Sequence, residues 1–478
     1  MPDDTATTHY NAVVVKADET SAARRSCSTA MLILICSPRL ALNMAWAAQW
    51  AALGPLLQIL LPSSSVQLVQ LVGPITGLLL APSVGELSDS CTSAYGRRRP
   101  FLFWGAVASC LCWLVMMFCT EIGEALGDTP ANVLDVLPPT EVSRQWTAAV
   151  VVLTYVWMDI SLNLTQTPLT LLIADFAGDR QVTAASIGSA YSIAGSFVVS
   201  GYILVFGPPY ANVKAFLSLL IAIMILTVGP VVAGAKESVF EAAYPMPSGT
   251  TAIVQALTSV FRGVLNLPRV LVVYCIIVAC VQYGFFAYNG AKGQFFGLVV
   301  KNGTAAGADA CGADCSQGQL AYNSGVQLAG GVTDTIYNCV SLMYLAALPL
   351  FVRSFGVQKV LTIAVVPQSL LIVMAFSKVV ALDVAIVVGC GFTQNTLLSL
   401  SMPTILHVVG YDNALGIGLF AGAVNSAACL GQLVNFVSAS ILVTTSMGYA
   451  LPILVGGIMS FVGFLVAAIF FRVRIYSA

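Results

Sequence analysis

Gly85-Glu86-Leu87-Ser88-Asp89, followed by Tyr95-Gly96-Arg97-Arg98-Arg99-Pro100, decides how this chain is read. The segment lies between two long apolar runs in a sequence that is otherwise nearly uncharged. Three consecutive arginines cannot rest in hydrocarbon and must face water. An excess of Lys and Arg in a short loop marks the cytoplasmic side of a membrane protein. The segment therefore predicts a membrane-embedded chain and sets its orientation.

Composition points the same way. Charged residues make up 9% of the 478, against about 25% in an ordinary soluble domain. Apolar residues reach 58%, and the mean hydropathy is +0.89. Such a surplus has a use when the outer surface faces lipid. A formal net charge of −1 gives no basis for a nucleic-acid partner. The 13 cysteines are scattered, mostly in apolar runs, and read as small core residues. No Cys-x-x-Cys pair suggests a metal, and no cofactor is expected. Cys311 and Cys315 differ by lying in a polar loop, where a local disulfide is one option. The start of the chain is polar and acidic and lacks the apolar core of a signal peptide. Residues 1–28 are expected to form a disordered cytoplasmic tail.

A spanning helix needs roughly 20 mostly apolar residues. Twelve such runs occur, at roughly 31–61, 66–86, 101–120, 146–174, 183–206, 214–234, 268–299, 322–352, 358–377, 380–407, 413–442 and 449–471. With the N-terminus inside, the cytoplasmic segments collect Arg24, Arg25, Arg97, Arg98, Arg99, Arg180, Lys236, Arg262, Arg269, Arg353 and Lys359. The outer side keeps only Arg144, Lys214, Lys301 and Lys378. That asymmetry is what the positive-inside rule requires, and an odd number of spans would scramble it. Asn302-Gly303-Thr304, a glycosylation sequon, falls on the outer side.

The longest polar break, 235–266, separates six runs (29–234) from six (267–472), with 473–478 as a short tail. The halves echo each other. Ser93-Ala94-Tyr95-Gly96 precedes the arginines after the second run, and Arg353-Ser354-Phe355-Gly356 precedes Lys359 after the eighth. A duplicated six-helix unit is the architecture of a rocking carrier. The predicted fold class is an all-α membrane protein of twelve transmembrane helices in two six-helix halves.

The arginine loop resembles the signature loop of the major facilitator superfamily. Within it, Cys91-Thr92-Ser93-Ala94-Tyr95-Gly96-Arg97-Arg98-Arg99-Pro100-Phe101 is similar to the C-T-S-x-F-G-R-R-R-P-F segment of plant-type sucrose/proton symporters, a branch of the glycoside–pentoside–hexuronide cation symporters. Trp46-Ala47-Ala48-Gln49 resembles that family's W-A-L-Q in the first helix. Leu71-Val72-Gly73-Pro74-Ile75-Thr76-Gly77 resembles its L-x-G-P-I-x-G. Asp159, Asn163, Gln166, Pro168 and Ala174-Asp175 follow its fourth-helix pattern. Leu267-Pro268-Arg269 and Tyr322-Asn323-Ser324-Gly325-Val326 match two further motifs. The chain also departs from the family. Thr170 stands where the fourth helix carries a basic residue. Asn289 and Gln294 stand nearest to where the seventh carries acids. Gln327 replaces an arginine, and Ser63-Ser64-Ser65 occupies a loop that often holds a histidine. The resemblance implies the major facilitator fold and a sugar as cargo.

Ionisable residues inside spans are costly and usually face a cavity. Arg39, Asp159, Lys292 and Asp334 are the candidates for proton coupling. Asp159 leads, since it matches the family's fourth-helix acid and removal from water favours the protonated form of a carboxyl group. Arg39 is expected either to stand in for the absent fourth-helix cation or to reach the inner headgroups. Depths counted at about 1.5 Å per residue separate it from Asp159 by about 10 Å. Lys292 and Asp334 are candidates for a second pair, although Lys292 is expected nearer the outer surface. A sugar needs hydroxyl partners and ring faces. Trp46, Gln49, Asn163, Gln166, Tyr283, Tyr288, Asn289, Gln394 and Asn395 supply them, amides both donating and accepting. The same amides can also serve only to join helices. Asp89 with Arg97, Arg98 and Arg99 is read as a cytoplasmic gate, with topology-setting charges as the alternative.

The expected function is proton-coupled uptake of a disaccharide, sucrose or a related glucoside. A sugar uniporter and a non-transporting sugar sensor are the alternatives. The short terminal segments argue against a sensor, and no nucleophile–base–acid set suggests an enzyme. The expected partners are a small-molecule sugar, a proton and the lipid bilayer, with a monomer sufficient. The expected location is the plasma membrane rather than an acidic organelle.

Overall fold

The computed structural model of the chain describes residues 27–89, 91–130, 142–237, 267–409 and 417–472. Most of the expected tails and of the central loop, and the side chains of Glu86 and Asp89, lie outside the described residues. Twelve helices are long and apolar enough to cross a bilayer. They are α1 (Thr29–Leu60), α2 (Ser63–Gly85), α3 (Arg99–Met117), α4 (Gln145–Ala177), α5 (Thr183–Phe206), α6 (Pro209–Gly234), α7 (Arg269–Asn289), α8 (Gln317–Phe355), α9 (Val357–Met374), α10 (Val380–Val409), α11 (Phe420–Leu442) and α12 (Ala450–Phe470). A helix satisfies its backbone donors and acceptors within itself, which lipid demands. The number and order of spans agree with the sequence reading. The seventh departs from its expected extent. Regular helix stops at Asn289, and after Gly290 and Ala291 come a turn, Lys292–Gln294, and a π-helical segment, Phe295–Val300.

Packing repeats between the halves. α1 lies on α5, α3 on α4 and α6, and α2 on α4; in the second half α7 lies on α11, α9 on α10 and α12, and α8 on α10. The closest approaches repeat too. A Cβ on Gly195 of α5 would stand 2.2 Å from the Leu40 carbonyl oxygen of α1. A Cβ on Gly431 of α11 would stand 2.2 Å from the Ala279 carbonyl oxygen of α7. Only glycine lets these backbones come so near.

The halves meet along α2 with α11 and α5 with α8. With the arginine loop taken as the inner end, they are fastened at the outer end. Gln70 Nε2 donates to the Gly290 carbonyl (2.8 Å) and Gln294 Nε2 to that of Gly54 (3.1 Å). Tyr322 donates to the Pro55 carbonyl (3.1 Å), Tyr210 to Asn323 (2.6 Å) and Tyr449 to Gln58. Arg144, just before α4, grips Asp309 of the outer loop with both arms of its guanidinium, at 2.9 and 2.7 Å. Trp50 meets Phe286 edge-on at 5.3 Å and stacks with Phe436 at 6.0 Å across the same boundary. In that loop Cys311 and Cys315 form a disulfide, and the sequon residue Asn302 is exposed.

Candidate functional site

Irregular turns place three of the key side chains. In α1, Gln49–Leu53 is π-helical, and the Gly54 N–H reaches back to the Gln49 carbonyl. Pro55 follows and has no N–H to continue the ladder. Such turns gather at functional positions. A second π segment, Leu328–Thr333, ends at Asp334, and its Gly331 lies against the backbone of Leu204 in α5. The third, Phe295–Val300, follows Lys292.

A cavity of about 250 Å³ lies between the halves. Its wall includes Trp46 and Trp50 of α1, Ser196 of α5, Tyr288 and Asn289 of α7, Lys292 just beyond α7, and Asp334 of α8. Lys292 donates to Asp334 Oδ2 at 2.5 Å and is only 5% exposed. This corrects the expectation of an outer position for Lys292. The regular helix stops at Asn289, and the turn that follows puts the ammonium in the cavity wall opposite α8, where the acid neutralises it.

A second cavity of about 190 Å³ is lined by Arg39, Asn43, Trp46, Gln166, Thr170 and Ser192. Arg39 and Thr170 therefore share one pocket. Asn43 and Trp46 border both cavities. The Trp46 indole donates to Gln166 Oε1 (2.7 Å), and Asn43 donates to the Ser192 carbonyl (2.6 Å) and to Ser196 (2.7 Å).

Asp159 belongs to neither lining. It is fully buried, with Gln49 Nε2 donating to its Oδ2 at 2.8 Å. Asn163 donates to the Asp159 backbone carbonyl (2.9 Å) and to Thr76 (3.3 Å). Gly73 of α2 lies against the other carboxylate oxygen. The acid thus sits behind the cavity wall, among α1, α2 and α4, rather than in the chamber expected for it. Eleven residues of α4 separate it from the level of Thr170, about 16 Å along the helix. The side chain that donates to its carboxylate in this structure is the Gln49 amide.

Three of the other sugar-binding candidates lie elsewhere. Tyr283 hydrogen-bonds Ser438 of α11 at 2.6 Å. Gln394 accepts from Gln282 (3.2 Å) and donates to Gln368 (2.8 Å), joining α7, α9 and α10. Asn395 donates to the Gly391 carbonyl of its own helix (2.7 Å). The sequence reading passed over Asn43, Ser196, Ser200, Tyr337 and Asn338, all on the cavity walls. A signal was present, since Asn43, Trp46 and Trp50, like Asp334, Tyr337 and Asn338, follow helical spacing on one face.

At the inner end, Arg97 pairs with Asp175 of α4 at 2.9 Å, and Arg98 reaches the same carboxylate at 3.6 Å. Arg98 also donates to Ser88 at 2.5 Å. The backbone N–H groups of Arg98 and Arg99 donate to Glu237, and the Arg99 guanidinium to the Val232 carbonyl. Gly96 has φ +101°, and a Cβ there would strike Glu237. These contacts fasten the loop to α4 and the end of α6, within the first half. The Asp89 side chain, the acid expected of this gate, lies outside the described residues.

Twelve spans in two matched halves, sealed at one end and enclosing a polar cavity, define a membrane transport protein of the major facilitator fold. The chain belongs to the MFS/sugar transport protein family, whose profile matches residues 59–309. It is similar to sucrose transport protein SUT3 of Oryza sativa subsp. japonica, 37% identical over 32% of this chain and 30% of that protein. It is 30% identical to sucrose transport protein SUT1 of the same plant over 55% of this chain and 52% of that one. Sucrose transport protein SUC4 of Arabidopsis thaliana is 34% identical over 32% and 28%. The chain thus spans between 28% and 52% of the length of these relatives. A solved structure of nucleoside transporter NupG covers 92% of this chain and 100% of its own, with a TM-score of 0.57 at 12% identity. The family is one of transport proteins and not of enzymes.

Proposed function

We propose that the protein imports a disaccharide, sucrose or a related glucoside, together with a proton, by alternating access in the plasma membrane. The observation that carries this reading is a cavity that places aromatic rings, amides and one ion pair around a single space between the halves. The rings of Trp46, Trp50 and Tyr288 suit the C–H faces of a sugar. Asn289, Ser196 and Asn338 offer donors and acceptors to its hydroxyls. The relatives named as sucrose transport proteins support this choice of cargo. One chain builds the whole cavity, so a monomer is sufficient.

Coupling falls to the Lys292–Asp334 pair, because it touches the space the sugar occupies. A proton arriving on Asp334 breaks the ion pair and frees the Lys292 ammonium to seek another partner. The cargo hydroxyls are within the same cavity, so protonation and sugar binding favour each other. Asp159, bonded to Gln49 outside the cavity, is the second carboxyl of the scheme, and Arg39 with Gln166 frames the inner pocket.

Reconstitution in liposomes tests the reading. With the outside more acidic than the lumen, labelled sucrose should accumulate above its external concentration. Equilibration without accumulation would support a uniporter, and no movement would leave the sensor reading. Asp334→Asn should lower accumulation at least tenfold, and Asp159→Asn less. The reverse order would return the coupling role to Asp159.

A further inference from the structure

A groove of about 920 Å³ opens on the outer part of the molecule and shares no wall residue with the two cavities above. Its floor is apolar. The first half supplies Ile59 and Leu60 of α1 and Ala149, Val152, Leu153 and Val156 of α4. The second half supplies Ala306 and Ala310 of the outer loop and Gln319 at the start of α8. The groove faces the bilayer. Trp146, Leu153 and Ile160 recur every seven residues on one side of α4, and all three are exposed. Tryptophan at the end of a span marks the level of the lipid headgroups.

Free polar groups are confined to one end. Arg144 and Gln145 line the groove there, beside Trp146. A guanidinium has five N–H donors, and the pair with Asp309 uses two of them. Gln319, the third polar residue of the wall, is already bonded to the Ala306 carbonyl and the Ser316 N–H. The donors left to Arg144, with the amide of Gln145, suit a group that only accepts, such as a phosphodiester. Gln145 to Val156 covers 11 residues (156 − 145), about 16 Å of helix. The hydrocarbon core is about 30 Å thick, so the groove descends through one leaflet. A ligand with an acceptor head and an apolar chain one leaflet deep is a phospholipid.

We propose that the groove binds one glycerophospholipid of the outer leaflet, with its phosphate at Arg144 and Gln145 and one chain along α4 to Val156, and that this lipid holds the outer end shut. The walls come from both halves, so they part when the outer end opens. A ligand held by one state alone multiplies the weight of that state by 1 + [L]/Kd, about elevenfold at ten times Kd. The bound lipid therefore acts on the same closure as the Arg144–Asp309 clasp, and it does so whatever the cargo is.

Photolabelling tests the site on the full chain in phosphatidylcholine vesicles, a small share of the lipid carrying a diazirine in one chain. After illumination and digestion, adducts should concentrate on residues 145–156 and 306–310, at least fivefold above the exposed face of α6. Ala149→Phe, which fills the groove from an exposed position, should lower them at least fivefold, whereas Leu226→Phe on the exposed face of α6 should not. Gln145→Glu, which sets an acid against the phosphate, should lower them too. Labelling no denser than on α6 overturns the site, as does labelling that Ala149→Phe leaves unchanged. A sterol diazirine that labels 145–156 and resists displacement by excess phosphatidylcholine overturns the choice of lipid. Hydrogen exchange tests the hold on the outer end. Delipidated wild type should label residues 306–310 faster than the same protein after phosphatidylcholine is returned, and equal rates refute that hold. Wild type alone carries the first labelling and the exchange comparison, so poor folding of a variant leaves both decisive. Neither readout needs a sugar, so failure here leaves the proposed cargo and coupling standing.

Discussion

Gln49 and Asp159 each remove the other's need for water, and neither would be tolerated alone where they lie. Both are fully buried. Leucine at position 49 would strand the carboxyl. An orphaned buried polar group costs about 1–3 kcal/mol, so Gln49→Leu should lower the thermal midpoint of the detergent-solubilised protein by several degrees. An unchanged midpoint would mean that Asp159 finds another partner. The sequence announces such residues plainly, because an ionisable side chain inside an apolar run stands out. It does not tell which face the side chain takes. Asp159 and Asp334 look alike as letters, yet one lies behind the cavity wall and the other on it, since helix rotation is settled by packing from other segments. The paired loop glycines were legible. Gly96 and Gly356, the glycines of that aromatic–Gly echo, both take left-handed backbone, φ +101° and +80°.

Between helices, glycine contacts and end caps dominate. Gly195 and Gly431 occupy matching helix pairs, α5 on α1 and α11 on α7, each with a neighbour's carbonyl where a Cβ would go. Adding a methyl forces the helices apart, and overpacking of this kind costs about 1–3 kcal/mol. Gly195→Ala and Gly431→Ala should therefore both lower thermal stability, by similar amounts; a loss in only one would argue against equivalent packing. At the outer end of α4, Asp128 accepts from the N–H groups of Trp146 (3.1 Å) and Thr147 (2.7 Å). Burial alone would raise its carboxyl, but those bonds hold it below the usual carboxylate value. With the folded value depressed, the stability it adds is present above the unfolded value, about 3.9, and is lost only as pH falls through the folded one. The destabilisation by Asp128→Ala should hence be constant between pH 7 and pH 5, as thermal unfolding at several pH values would reveal. Spans and their order could be read from apolar runs. The break after Asn289 could not, because Gly290 and Ala291 are unremarkable within an apolar helix until Lys292 has a partner to face.

The whole molecule is a pair of matched bundles held at their outer rims. Arg144 and Asp309 form the one ion pair of the described residues that joins the halves, and both are largely buried, at 16% and 11% exposure. Removing one partner of such a pair costs about 3 kcal/mol. Asp309→Asn should loosen the outer seal, and hydrogen exchange followed by mass spectrometry should show faster labelling of the outer ends of α7 and α8. Unaltered exchange there would assign the closure to the aromatic and amide contacts instead. None of these fastenings could be read from one sequence, since each joins residues far apart in the chain. The carboxylate end of the clasp hangs two positions before a cystine, Cys311–Cys315. A production host that leaves those thiols reduced would deliver full-length, correctly inserted protein with a slack lid. Batches could then match on a gel and still differ in leak, with oxidation of this short loop as the variable to control.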